Sequence, residues 1–235
     1  MHLLSLLSSS LLILGAACAP IEHEASMSMS GLGNLLKNIR PNHGGGSCGT
    51  SKVSLPETGN GAELPSPASE LALKYITLGV GTQNYTCANL EKSAKPALVG
   101  AVATLYDVSC LASQSSWFLD MFARMVVRLP VRMVNRLVPK YLGSEMQGHH
   151  YFEGRVPLFD LRTNGHNDYA YVSVAAKVPA PQNRDVDWLR LDRVDGSGIE
   201  AVYRVKTTAG KAPTSCKNMP DQFEVKYIAQ YWMYG

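Results

Sequence analysis

Apolar and polar positions change rhythm three times along this chain. From Leu3 to Leu14 the residues are Leu, Ile and Ser without a charge. That run is shorter than the about 20 apolar residues a helix needs to cross a bilayer. With Ala17-Cys18-Ala19 as a small-x-small site behind it, it predicts a secretory signal peptide over 1–19, cut after Ala19. Positive charge ahead of the run comes only from the α-amino group and His2. Gly15 stands where a lipobox has Leu, so Cys18 is not read as a lipid attachment site. From Pro20 to Glu70 the chain is rich in Gly, Ser, Pro and Asn, which predicts an irregular arm with a short helix near Leu32–Ile39.

At Leu71 the pattern turns to short β-rich runs. Strands are expected over Leu71–Cys87, Ala97–Tyr106, Gly148–Phe152, Tyr169–Lys177, Trp188–Asp192, Ala201–Thr207 and Val225–Tyr234. Thr163-Asn164-Gly165, Pro179-Ala180-Pro181 and Asp195-Gly196-Ser197-Gly198 read as turns between them. Many short strands without alternating helices predict a mainly β fold, an antiparallel β-sandwich or barrel over 71–235. One helical excursion interrupts it at Ser116–Leu142. There Phe118, Met121, Met125, Val126, Leu129, Met133, Leu137 and Tyr141 recur at helical spacing, and Pro130 is expected to kink or divide the helix. Arg124, Arg128, Arg132, Arg136 and Lys140 follow at four-residue steps and make a basic stripe beside the apolar one. Met121, Met125, Leu129 and Met133 cannot serve both a protein core and a lipid surface. Packing is the expectation, so no stable membrane binding and no salt-sensitive binding to anionic vesicles are predicted.

Removing the leader takes one of five cysteines and leaves Cys48, Cys87, Cys110 and Cys216. An even number in an exported chain predicts two disulfides, with three pairings open. No C-x-x-C spacing supports a metal, and none is expected. The 216 residues that remain suffice for one sizeable core. A net charge of +3 is far from the balance of a nucleic-acid binder, so no nucleic-acid partner is expected. The expected location is outside the cell or in its wall.

Three segments bear on chemistry. Gly79-Val80-Gly81-Thr82-Gln83-Asn84 has Asn where a dinucleotide loop needs its third Gly, and a Tyr-Thr-Cys strand follows instead of a helix. No cofactor is expected. Asn84-Tyr85-Thr86 is an N-glycosylation sequon if Asn84 faces water; alternatively Gln83 and Asn84 offer their amides to a ligand. In Gly148-His149-His150-Tyr151-Phe152 only one imidazole of the pair can face a cavity. His150 with Asp160 is the candidate catalytic pair, a base and its orienting carboxylate. Ligand binding is assigned on the same reading to Gln83, Asn84 and His150.

Those blocks, with Gly100–Asp107, Phe159-Asp160-Leu161, Asp185–Leu189, Val202–Val205 and Ala229–Tyr234, resemble a fungal secreted family, domain-of-unknown-function family 3455. The resemblance runs from Leu71 to Gly235. Members often carry the name malate dehydrogenase, and the family brings no catalytic residues to carry over. The sequence therefore predicts a non-catalytic surface or host-interacting module. The alternative is an enzyme or binder of an unidentified small molecule, with Gln83, Asn84, His150 and Asp160 lining one pocket.

Overall fold

The computed structural model describes residues 53–235. The expected leader over 1–19, the expected arm up to residue 52, the helix expected near Leu32–Ile39 and Cys48 lie outside the described residues. Eight strands follow one another around a closed, antiparallel, up-and-down barrel. They are β1 (Leu73–Thr86), β2 (Ala97–Asp107), β3 (Met146–Glu153), β4 (Val156–Asp160), β5 (Tyr169–Val178), β6 (Trp188–Ser197), β7 (Ala201–Ala209) and β8 (Gln222–Tyr234). Of the two architectures the sequence left open, the chain takes the barrel. β4 was not among the expected strands, and β6 runs on through Asp195-Gly196, which had read as a turn. β1 closes the wall, pairing with β2 from Thr77↔Asp107 to Thr86↔Ala97 and with β8 along its whole length.

Helix α1 (Ser109–Val126) and helix α2 (Val131–Leu137) fill the connection from β2 to β3, followed by a π-helical turn at Val138–Leu142. Pro130 sits immediately before α2, where a missing N–H costs nothing, and it divides the excursion as its chemistry demands. Phe118, Leu119, Phe122 and Val126 of α1, then Val134, Leu137 and Val138, bury against the outer wall. This stripe differs from the expected one. Met121, Met125, Leu129 and Tyr141 are only partly buried and Met133 is exposed; past Pro130 the helix restarts its phase and turns Val134 rather than Met133 to the wall. Val53, Leu55 and Leu64 of the arm pack against the same layer.

Two apolar layers share the wall, in keeping with the period of two along a strand. Ile76, Leu78 and Val80 of β1, Tyr203 of β7 and Ile228 and Trp232 of β8 join the layer under the helices. Ala103 and Leu105, Phe159, Ala170, Val202, Ala229, Tyr231 and Met233 form the barrel interior. Burial on both faces is why β1 and β8 read as near-continuous apolar runs. Cys87 and Cys216 form a disulfide that ties the end of β1 to the segment before β8, and Cys110 is also disulfide-bonded. No helix of the described residues is long and apolar enough to cross a membrane.

Gly79 shows how tightly the interior is filled. A Cβ there would be driven into the edge of the Tyr231 ring, 2.9 Å from Cδ2, with Leu105 Cδ2 at 3.4 Å. Tyr231 has no free space to retreat into, being 1% exposed and bonded through its hydroxyl to Tyr227 at 2.8 Å. Gly79→Ala is expected to lower stability by about 1–3 kcal/mol, the range for overpacking a filled core. A denaturant midpoint unchanged from wild type would show that the ring has room to move.

Candidate functional site

Alternation along β1 sends Gln83 inward and Asn84 outward. Gln83 pairs with Ala101 and Val225 and is 1% exposed. Asn84 pairs with Gly100 and Glu224 on the outer wall, partly exposed, and its Oδ1 accepts a hydrogen bond from Thr82 Oγ1 at 3.0 Å. The hairpin of β3 and β4 splits the other pair. His150 faces Phe159 across the ladder, whereas Asp160 faces His149. His150 therefore points into the barrel and Asp160 lies on the outer side. The four candidate residues divide two and two, and the wall separates His150 from the carboxylate expected to orient it.

Asp160 has another partner. Arg162 Nε donates to its Oδ1 at 2.9 Å and Arg162 Nη2 to its Oδ2 at 3.0 Å, and the Arg162 backbone N–H adds a third bond at 3.0 Å. These bonds hold the Asp160 carboxyl below its ordinary range against the opposing effect of partial burial. Arg162 in turn stacks over Tyr169, 4.2 Å from the ring centroid.

Inside the barrel His150 stacks on Phe159 with centroids 4.2 Å apart, and Tyr231 leans against both rings. His150 Nδ1 lies 3.0 Å from the Leu158 carbonyl oxygen, which can only accept, so the neutral ring carries its proton there. Burial pushes the imidazole down to about 4, the Leu158 bond opposes this, and the Arg204 charge adds to it. Arg204 of β7 reaches the same interior from a partly exposed position, and its Nε and Nη2 donate to the Asp187 carbonyl at 3.2 and 2.9 Å. Tyr227 and Tyr231 are raised by burial, Tyr227 the more. The Gln83 amide lies beside the Tyr227 hydroxyl without completing a hydrogen bond, leaving Nε2 buried and unpartnered. Tyr227, Tyr231 and Arg204 were not singled out from sequence. Their signal was parity: in the β7–β8 ladder Arg204 pairs with Tyr231, so both share a face.

A small cleft on the helix side was also missed. It lies among Asp120 and Arg124 of α1, Asp185, Trp188 and Lys206. Lys206 Nζ pairs with Asp120 at 3.1 Å from a bulge of β7 where its own φ is 50°, a left-handed value that a lysine rarely adopts. Asp185 is 2% exposed and accepts the Ala209 backbone N–H at 2.7 Å. Among the described residues no group of three or more His, Cys, Asp or Glu side chains is placed to hold a metal ion.

An eight-stranded antiparallel barrel with an aromatic and polar filling, braced outside by two helices, is the class of protein that these elements define. Residues 67–235 match the model of a family described as a protein of unknown function, DUF3455, and the chain belongs to that family. No curated protein and no solved structure matches it.

The buried imidazole makes stability depend on pH. The folded chain resists protonating His150 until about pH 4, while the unfolded chain takes up that proton near its ordinary 6.5. Between these values the unfolded state binds more protons, so stability is complete above about pH 6.5 and falls as pH drops toward 4. The loss amounts to about 3 kcal/mol over that window. His150→Gln keeps a donor for Leu158 and removes the proton. Its urea midpoint is expected to vary less than wild type between pH 7 and pH 4.5, and an unchanged slope would place the acid sensitivity elsewhere.

Proposed function

We propose that the chain is exported after cleavage at Ala19 and acts outside the cell or in its wall as a non-catalytic module working through its outer surface. The observation that carries this reading is the division of the candidate residues. Gln83 and His150 are enclosed by the barrel, Asn84 and Asp160 stand outside, and Asp160 is held by Arg162 rather than by His150. General base work needs the base within hydrogen-bond reach of both its orienting group and a substrate. His150 stacks between rings and gives its proton-bearing nitrogen to a backbone carbonyl. An eight-stranded barrel is just wide enough for side chains to fill, and this one fills with Tyr, Phe, Leu and Met. The dehydrogenase name carried by members of the resembling fungal family gains no support from Gly79–Asn84, which is the middle of a strand rather than a phosphate-binding turn before a helix. Asn84 belongs to the outer surface on this reading and carries an N-linked glycan.

The second reading, a small-molecule site inside the barrel, draws on the unpartnered Gln83 amide and the nearby Arg204. One experiment separates the two. Protein secreted by a eukaryotic host is incubated with culture extract and weighed intact under native conditions, with and without glycan removal. The expected outcome is a chain beginning at Pro20 whose extra mass is all glycan and vanishes in Asn84→Gln. Stoichiometric retention of a small molecule from the extract would overturn the non-catalytic surface reading in favour of the second.

A further inference from the structure

Arg124, Arg128, Arg132, Arg136 and Lys140 are all exposed. Between Asp120 and Glu145 the chain has no acidic residue, and among the described residues no ion pair reaches any of the five. Arg132 and Arg136, four residues apart on α2, repel by roughly 0.2–0.5 kcal/mol. The helix dipole favours Arg124 and Arg136, which lie in the last turns of α1 and α2. It does the reverse for Arg132, which lies in the first turn of α2, where backbone N–H groups already concentrate positive charge. Arg128 falls between the helices, and Lys226 Nζ donates to its carbonyl at 2.6 Å, adding a further cation beside it. Arg128 and Arg132 are thus placed where nothing in the chain neutralises them.

Trp117 stands on the same face, seven residues before Arg124 on α1, and is 62% exposed. A large apolar ring left in water on the same excursion as five exposed cations without an ion pair fits a ligand with apolar faces and several negative charges. A lipid surface fits poorly, since Phe118, Phe122, Val126 and Val134 are committed to the barrel and leave little to insert into acyl chains. Sugar rings offer flat C–H faces to an indole, and the four-residue step from Arg132 to Arg136 along α2 advances about 6 Å, on the scale of one sugar unit.

We propose that the outer face of α1 and α2 binds a linear acidic polysaccharide, its carboxylate or sulfate groups on Arg124, Arg128, Arg132 and Arg136 and a sugar ring on Trp117. This names the partner chemistry of the surface-acting module above and rests on that reading.

The test titrates the full secreted chain with heparin and with polygalacturonate over a range of salt, with dextran, anionic phosphatidylserine vesicles and single-stranded DNA as comparisons. Binding to at least one of the two acidic polysaccharides that weakens as salt rises, with none to dextran, is expected. Arg128→Gln/Arg132→Gln should lower the slope of log affinity against log salt by about 2, about one per lost arginine as for other polyanions. Its melting temperature should match or exceed that of wild type, since relieved repulsion cannot unfold the helices. Trp117→Ala should weaken binding several-fold with the salt slope unchanged. The proposal is overturned by no binding to either acidic polysaccharide at low salt, by an unaltered slope in the double variant, or by tighter binding to the vesicles or DNA than to the polysaccharides. A retained small molecule in the native mass experiment would instead remove the module reading while leaving polysaccharide binding measurable.

Discussion

A strand in a closed barrel has only two sides, and closure allows no residue to choose between them. β1 pairs with both β2 and β8 over nearly its whole length, so its register is fixed twice. A slip of one residue would expel Gln83, bury Asn84 and drive Val80 into the space that Tyr231 fills. The missing side chain at Gly79 makes that filling possible, and Gly148 does the same for the backbones of β3 and β4, where a Cβ would meet Leu161 Cα at 2.9 Å. Closure also removes the free edges through which a sheet of this size would aggregate.

The outer layer depends on the inner one. Once the interior takes the odd positions of β1, Ile76, Leu78 and Val80 face outward and need cover, which α1, α2 and residues 53–64 supply. Burying an aliphatic or aromatic side chain contributes about 1.5–3 kcal/mol, so the helices gain more from this wall than from their own propensity. α2 is too short to persist alone and lacks an acidic residue in its first turn. The apolar positions of the excursion are spent on the barrel, and its arginines are left to water.

Much of this was legible from residue types alone. Seven of the eight strands, the helical excursion and the break at Pro130 follow from apolar spacing and turn chemistry. β4 escaped because it has five residues and Pro157, which cannot donate to a ladder, sits second in it. β6 was cut short because Asp195-Gly196 carries turn chemistry, yet Gly196 adopts its φ of 134° within the strand, where a Cβ would meet Ala170 Cα at 2.9 Å. The pairing of His150 with Asp160 failed for a subtler reason. Positions ten apart share parity, but the turn at Gly154-Arg155 brings even positions of β3 opposite odd positions of β4. Parity is kept along a strand and can be exchanged at a hairpin, and sequence shows the residues of a turn more clearly than its exact register. Arg204 and Tyr231 were hidden likewise, since only the β7–β8 ladder shows that they meet.

Interior and exterior therefore answer to different demands. Inside, several polar groups are bound to their neighbours' geometry: His150 gives its proton to the Leu158 carbonyl, Tyr227 pairs with Tyr231, and Arg204 donates to the Asp187 carbonyl. Replacing Tyr227 or Tyr231 by Phe leaves the other hydroxyl buried without that hydrogen bond, at a cost of about 1–3 kcal/mol. Outside, among the described residues no ion pair or hydrogen bond of its side chain ties Arg128 or Arg132 to the barrel. A substitution bears on folding where its side chain is enclosed, by the barrel or by the helices laid over it, and in β1 neighbours as close as the buried Gln83 and the partly exposed Asn84 fall on opposite sides of that division.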